Sequence, residues 1–403
     1  MTRDERQKEF IELWKKYEQG TLEACTGFGK TYTATQLIKE YNNKFGDKFS
    51  TIVIVPTNYL KNQWEERVPD NVDVYTVHHI TVQDNNYSCN LLILDEIHRF
   101  TSDVFGQVYE KIKYQGVLGL TATIPEDSEK KKIINTFCPV IETIELKEAV
   151  DNGWVSDFIV YQFGVHLNSQ EKKKYRKINK KFHKNFAHFG HDWNTVKRIL
   201  NDSGYADKWA NKMGEYGQGG RYKGHAARVM KYIRDRKSLL YLSTTKLDIC
   251  SKIVQSFENK KIICFSQRTK FADMLADNLN DCMAYHSNVE GREIDGEYYG
   301  VDRYKEYIME QFKDSNIRVL STSKALDEGA DLPDIDMAII SSGTSSTRQT
   351  VQRIGRTLRG NGMSIIVDVY ALNTQDEYWL EKRYNKVSNA SIHKIRDINQ
   401  ISI

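Results

Sequence analysis

Residues 24–31 read ACTGFGKT, a set of types suited to cradling phosphate oxygens. Gly27 and Gly29, with Thr26 beside them, leave room for backbone N–H groups to converge on an anion, and Phe28 can point away. Lys30 stands where it would reach the β- and γ-phosphates of a nucleotide, and Thr31 offers a hydroxyl to Mg2+. Ala24 occupies the place of the usual first glycine. A second cluster lies in NLLILDEIHRF, residues 90–100, where four apolar residues run into Asp95 and Glu96. Asp95 is placed to hold the metal, and Glu96 to polarise a water in line with the γ-phosphate. Hydroxyls at Thr121 and Thr123 close another apolar run, where they either sense the nucleotide or cap the next turn. Far downstream, Arg353, Arg356 and Arg359 recur at steps of three and share one face of a helix. Such a row calls for an anion, which in an ATPase can be a γ-phosphate held across a cleft, or for pairing with surface acids.

These residues need particular elements to hold them. Residues 6–18 carry apolar groups at helical spacing, residues 20–25 form a short run into the glycine turn, and residues 31–45 read as a helix ending near Gly46. Strand, glycine loop and helix are the context a phosphate loop requires. Taken singly, each cluster has a bland reading, a chance turn for the first and an acidic helix cap for the second. Their order, with about two strand–helix units between them, argues against both. Ligand-binding residues gather where the strands of a parallel sheet end. A second α/β pattern follows, with apolar strands at 261–266, 317–323, 336–342 and 363–370.

With 403 residues the chain exceeds what one core usually supports, so two or three domains are expected. No apolar run approaches the roughly 18 residues of a membrane span. The first ten residues, MTRDERQKEF, lack a signal-peptide core. The six cysteines are scattered without a CxxC pair, which speaks against a zinc or disulfide framework and for a reducing compartment. His183, His188 and His191 have no cysteine or carboxylate partners in a ligand pattern, so no metal site is expected there.

The net charge of +4 hides an asymmetry: residues 171–237 hold 19 Lys and Arg against 6 Asp and Glu, an excess of 13 that leaves the rest near −9. This segment reads as helical, and a five-glycine stretch at 214–224 reads as a loop. Its ten aromatics suit exposed bases, or alternatively the core of a charged helical hairpin. Lys172, Lys173, Lys174, Lys180, Lys181 and Lys184 are the candidate phosphate contacts, with a hydrated surface arm as the alternative.

Taken in order, the motifs resemble those of the superfamily 2 helicases, within the repair and branch-migration group that includes phage recombination helicases and XPB-like repair translocases. ACTGFGKT resembles motif I, VPTNYLKNQW (55–64) motif Ia, DEIH (95–98) motif II, TAT (121–123) motif III, CFSQ (264–267) motif IV, ALDEGADLP (325–333) motif V and QRIGRTLR (352–359) motif VI. The resemblance covers nearly the whole chain. It implies an α/β fold with two tandem RecA-like domains, at 1–165 and 239–403, and a basic, mainly helical insertion at 166–238. It also implies an ATP-dependent DNA helicase using ATP and Mg2+, with DNA, forked or branched, as partner in replication, recombination or repair. Single-stranded DNA-binding or recombination proteins are further partners it suggests, and the cytoplasm, a host's for a phage protein, is the implied location. By resemblance, Gln7 reads adenine, Gln352 helps place the attacking water, and Arg356 and Arg359 are arginine fingers. Arg353 belongs with the nucleotide site, and Asp327 contacts the ribose or the closed interface. Pro56, Thr57 and Ser323 contact the tracked strand, and His98 couples the motifs together with Thr121 and Thr123. The damage-recognition domain of larger repair relatives is not expected. An RNA helicase with the same core, and a nucleic-acid clamp that hardly hydrolyses ATP, remain as alternatives. Intact Lys30, Glu96 and Arg356 argue against the clamp.

Overall fold

A computed structural model describes residues 1–102, 104–125, 127–155, 157–323, 332–343, 364–384 and 391–402. Its first sheet has β1 (Gln19–Ala24), β2 (Thr51–Val55), β3 (Val72–Thr76), β4 (Tyr87–Asp95), β5 (Ile112–Thr121) and β6 (Val140–Ile144). The spatial order is β3-β2-β4-β5-β1-β6, and every pairing is parallel. Around it run α1 (Arg3–Tyr17), α2 (Lys30–Phe45), α3 (Asn58–Glu65), α4 (Val77–Val82), α5 (Val108–Lys111), α6 (Ser128–Phe137) and α7 (Leu146–Asp151). A sheet covered on both faces needs strands that are apolar throughout. The five residues of β2, TIVIV, are accordingly all buried. The start of α1 is fixed by a capping box between Thr2 and Glu5, and its buried face is Gln7, Phe10, Ile11 and Trp14.

The second sheet contains β7 (Phe158–Val165), β8 (Ile262–Ser266), β9 (Cys282–His286), β12 (Val319–Ser323), β13 (Met337–Ile340), β14 (Ser364–Ala371) and β15 (Ser391–Ile395). A small hairpin, β10 (Arg292–Ile294) and β11 (Glu297–Tyr299), stands apart as its own sheet. The order is β15-β7-β14-β13-β8-β12-β9, again parallel throughout. Two parallel sheets in tandem, each wrapped by helices, are the two RecA-like domains expected. One boundary needs correction. The sequence reading ends the first domain at 165, but β7 pairs along its full length with β14, from Phe158↔Ser364 to Val165↔Ala371, and with β15 on its other side. Its buried run belongs to the second sheet, and the crossing lies at residues 152–157.

Between β7 and α12 (Thr244–Ser256) come α8 (Ser169–Phe186), α9 (Trp193–Asn201), α10 (Ser203–Lys212) and α11 (Gly219–Tyr241), followed later by α13 (Thr269–Asp277), α14 (Val301–Lys313) and a helix at Gln375–Tyr384. The four helices α8–α11 own a core of Phe182, Phe189, Val196, Ile199, Ala206, Ala210, Tyr222, Ala226 and Val229. Many of the aromatics therefore fill this core rather than face solvent. The glycine stretch read as a loop is a turn over residues 214–218, with Gly214 and Gly217 at φ of 77° and 71°, but from Gly219 through Gly224 it is the first part of α11. At Gly219 a Cβ would sit 2.0 Å from the Asp207 carboxylate oxygen, so glycine lets α10 and α11 approach.

The root of this helical segment is bonded to the second sheet. Asn168 and Glu171 form a capping box at the start of α8. Glu171 also accepts from the Thr244 backbone N–H at 2.7 Å and the Thr245 hydroxyl at 2.7 Å. Gln375 donates its backbone N–H to the Tyr175 hydroxyl at 2.8 Å. Beside this clasp lie four buried charges, Lys246, Asp368, Asp376 and Arg383. Lys246 pairs with Asp376, and Arg383 donates to both oxygens of Asp368 at 3.0 and 2.9 Å. Burial alone would drive the Asp368 carboxyl pKa up, and it does so despite the opposing Arg383 charge. Removing one member of a buried ion network strands its partners. Arg383→Ala is therefore expected to lower unfolding free energy by about 3–5 kcal/mol, seen as an earlier urea transition by circular dichroism. An unchanged transition would contradict this.

Candidate functional site

The carboxyl ends of β1, β4 and β5 meet on one edge of the first sheet, and chain order delivers the candidate residues there. After β1 the chain turns through Cys25–Gly29 and enters α2 at Lys30. Gly27 and Gly29 have φ of 94° and 98°, values that side-chain-bearing residues rarely adopt. At Gly29 a Cβ would also meet Gln7 Nε2 at 2.7 Å. Phe28 turns inward, fully buried, with its ring edge-on to Trp154 at 5.7 Å. The loop's backbone is thereby left facing the sheet edge, while Thr26 and Thr31 are half-buried. The Lys30 ammonium donates to the Ala24 carbonyl at 2.9 Å.

Gln7 sits on this loop: its Nε2 donates to the Phe28 carbonyl at 2.7 Å. Its Oε1 is buried with no hydrogen-bond partner among the described residues, leaving an acceptor beside the phosphate loop. That geometry gives Gln7 a role in bracing the loop which the sequence reading did not include.

Asp95, the last residue of β4, is 5 % exposed. Its Oδ2 accepts from the Trp64 indole N–H at 2.8 Å, and its Oδ1 from the Glu96 backbone N–H at 3.0 Å. Burial, reinforced by the neighbouring Glu96 charge, pushes its pKa up to about 6, against the pull of Trp64 and Lys30. Glu96 stands in the left-handed region at φ 54°, a strained position for a residue with a side chain. That turn carries its carboxylate to 3.3 Å from His98 Nδ1. The same nitrogen lies 3.1 Å from the Thr121 hydroxyl, which donates to the Thr123 carbonyl at 3.0 Å. His98, Thr121 and Thr123 thus form a continuous polar chain from Glu96 to the end of β5.

A carboxylate and a hydroxyl suit a hard cation, and Asp95 with Thr31 would be its protein ligands. Lys30, the loop amides and this pair could together neutralise a triphosphate, with Glu96 placed to orient water.

Other candidates lie elsewhere. Pro56 and Thr57, half-buried, follow β2, and Thr57 caps α3 by accepting from the Leu60 N–H at 3.3 Å. Ser323 ends β12 in the second sheet, in register with Ser266 and His286 on the adjacent strands. Lys172, Lys173, Lys174, Lys180, Lys181 and Lys184 are exposed on α8, apart from the phosphate loop. His188 and His225 stack at 3.9 Å, and His225 Nδ1 meets Asn185 Oδ1 at 2.9 Å. Asp327, Gln352, Arg353, Arg356 and Arg359 fall outside the described residues.

Sequence reasoning missed Trp64 and Glu23. The Glu23 carboxylate accepts from the Ile124 N–H at 2.8 Å and the Thr143 hydroxyl at 3.3 Å, joining β1, β6 and the turn after β5. The signal for Trp64 was available, because a tryptophan on an otherwise buried helix face must find an acceptor for its N–H.

Comparison with known proteins bears on the fold and the family. Residues 245–361 match the helicase conserved C-terminal domain family, and residues 1–88 and 71–126 match the family of the type III restriction enzyme res subunit. The DNA 3'-5' translocase XPB2 of Sulfurisphaera tokodaii is 25% identical over 398 residues, covering 94% of this chain and 83% of that protein. A putative ATP-dependent RNA helicase of Acanthamoeba polyphaga mimivirus is 24% identical over 399 residues, covering 91% and 64%. The XPB helicase/translocase subunit of general transcription and DNA repair factor IIH from Enterocytozoon bieneusi is 22% identical over 320 residues, covering 77% of this chain and 42% of that protein. The chain thus spans under two thirds of the last two relatives. The crystal structure of the Pyrococcus furiosus Hef helicase domain shares the fold, with a TM-score of 0.55, 18% identity and coverage of 93% and 97%.

The raised pKa of Asp95 gives a pH test. Cations bind the deprotonated carboxylate, so protons compete as pH falls through about 6. The enhancement of ADP binding by Mg2+ is expected to be flat above pH 7 and to fall towards about tenfold per unit below pH 6. In Asp95→Asn this component of the pH response should vanish. Titration calorimetry across pH 5–8 checks it.

Proposed function

We propose that this chain, which belongs to the superfamily 2 helicases and resembles the XPB-like repair translocases, uses its ATP-driven motor on forked or branched DNA. The observation that carries the reading is the shared sheet edge. There Lys30 opens α2, Asp95 ends β4, and Glu96 is held in the left-handed turn beside it.

The mechanism follows from these groups. Lys30 and the amides around Gly27 and Gly29 would bind and orient the triphosphate. Mg2+, held by Asp95 and Thr31, supplies charge neutralisation on the phosphate oxygens when bound. Glu96 would accept the proton of the attacking water, with His98 Nδ1 3.3 Å from its carboxylate. Gln7 braces the loop through its bond to the Phe28 carbonyl, and its Oε1, unpartnered among the described residues, would be its acceptor for adenine. Gln352, Arg353, Arg356 and Arg359 would complete the site from the second domain, Gln352 placing water and the arginines answering γ-phosphate charge. Asp327 would belong to the same closed interface. ATP then acts as a conditional link between the two domains, and its hydrolysis releases them. Pro56 and Thr57 in the first domain and Ser323 in the second would grip the tracked strand alternately.

Contacts to a backbone give little sequence preference and strong salt dependence. The exposed lysines of α8 are the candidates for duplex or fork contacts. Single-stranded DNA-binding and recombination proteins are the partner classes such substrates imply. Replication, recombination and repair are the processes in which they arise, and the cytoplasm is the compartment proposed. Among the described residues, no helix is long and apolar enough to cross a membrane.

ATPase rates with single-stranded DNA, forked DNA, four-way DNA and RNA in parallel test the reading. Strongest stimulation and unwinding with forked or four-way DNA is expected. Preference for RNA would favour the second reading, an RNA helicase, which similarity to the mimivirus protein supports. Neutralising Lys172, Lys173, Lys174, Lys180, Lys181 and Lys184 together is expected to weaken fork binding. The slope of log affinity against log salt should fall by about 0.9 for each phosphate that is no longer neutralised, while ATPase at saturating DNA changes less than unwinding. An unchanged affinity and slope would mean that α8 is only a hydrated arm.

A further inference from the structure

α3 begins where the tracked strand is proposed to touch and ends on the metal-binding carboxylate. Thr57 caps its first turn, and Trp64 occupies its last. The Trp64 ring is 1 % exposed, and its Nε1 donates to Asp95 Oδ2 at 2.8 Å. Asp95 has one other donor among the described residues, the backbone N–H of Glu96, which is fixed by the chain and cannot steer the carboxylate independently. Of the two, only the indole comes from a separate element.

The helix is eight residues long, a span of about 12 Å. A short hydrogen-bonded helix moves as a unit, so a shift imposed at Thr57 reaches Trp64. At the far end the indole bond is made to a charged acceptor away from water, where a hydrogen bond is stronger than between neutral groups. A small displacement there therefore changes how Asp95 presents its oxygens.

We propose that Trp64 is the positioning residue through which strand contact at the Thr57 end of α3 sets the orientation of Asp95. The inference rests on the functional reading above, in which Thr57 touches DNA and Asp95 holds Mg2+. It assigns a direction of signal within the first domain, from strand grip to metal site, without passing through the second.

Trp64→Phe tests it, because the variant keeps an aromatic ring and loses the N–H. A single-stranded oligothymidylate is the probe. In the unsubstituted protein, saturating oligothymidylate is expected to lower the Mg2+ concentration giving half-maximal hydrolysis. In Trp64→Phe this half-saturation point should rise about tenfold or more with DNA present, on the scale of one hydrogen bond to a charged group. The difference between the points with and without DNA should shrink to less than about twofold. A purely structural role for Trp64 would lower the melting temperature and leave the Mg2+ dependence alone. A second readout needs no turnover. With no nucleotide present, adding oligothymidylate should shift the Trp64 indole N–H resonance, identified by elimination through substitution of the other five tryptophans. That measurement also carries the test if Trp64→Phe does not fold. An unmoved resonance, or a full DNA-dependent Mg2+ shift retained in the variant, would overturn the inference and leave the motor reading standing. Absence of any DNA response in the unsubstituted protein would overturn both.

Discussion

A carboxylate buried at the end of a central strand constrains the whole first domain. Asp95 lies out of reach of bulk water between hydrophobic strands, where an ionised group costs several kcal/mol unless it is bonded. Its neighbours answer that cost. Trp64 reaches over from α3, the Glu96 amide turns towards it, and Lys30 supplies a positive charge from the phosphate loop. The amide can turn only because Glu96 takes a left-handed conformation, itself worth about 1–3 kcal/mol of strain. That strain has a second effect, since it aims the Glu96 carboxylate at His98 and the Thr121 chain. One expensive charge thus fixes α3 on one side and His98 with Thr121 on the other.

The second domain meets a similar problem with a closed set of charges. Lys246 and Arg383 balance Asp368 and Asp376, all essentially without solvent exposure. Such a set adds little net stability over a well-packed apolar core, but losing any one member leaves its partners buried and unpaired. Those members come from α12, β14 and the helix at 375–384, and Lys246 and Arg383 also reach the carbonyls of Ser341 and Gly343 after β13. The arrangement of α12, β14 and the helix at 375–384 therefore depends on ion pairing as well as on apolar packing.

Much of this was legible in the sequence for identifiable reasons. The glycine loop could be read because phosphate cradles need small residues, and β1, β2, β4, β5, β8, β12, β13 and β14 because buried parallel strands are continuous apolar runs. The strands β3, β6, β9 and β15 escaped because their patterns are mixed; four of five β15 positions are exposed. The stretch that forms β7 was placed in the first domain, since chain order does not reveal that a strand next to that domain pairs with β14. The stretch at 214–224 was legible as a loop only to residue 218; glycine ordinarily breaks helices, whereas at Gly219 close approach of Asp207 demands it at a helix start. Within the site, motif residues were visible by type. The bracing bonds from Gln7, Trp64 and Glu23 were not, because they depend on which side chains meet across the sheet edge.

The placement of β7 decides which domain carries the basic helices. Only residues 166–168 separate β7 from α8, and Leu167 is buried with Tyr175, Leu240 and Ala371. The Glu171 bonds to Thr244 and Thr245, and the Tyr175 bond to Gln375, close the base from the other side. Along the pair, Arg236 donates to Asn179 at 2.9 Å, holding α8 against α11. The segment is therefore rooted in the second domain by covalent chain, apolar contact and hydrogen bonds together. Phosphates held by the α8 lysines would travel with Ser323, while those held near Thr57 would travel with the first domain. The joint between the two sets runs through Trp154, whose ring packs on Phe28 at the tip of the phosphate loop and whose N–H donates to the Met1 carbonyl at 3.1 Å. The phosphate-loop candidate and the segment that joins the two sheets are thus in direct contact.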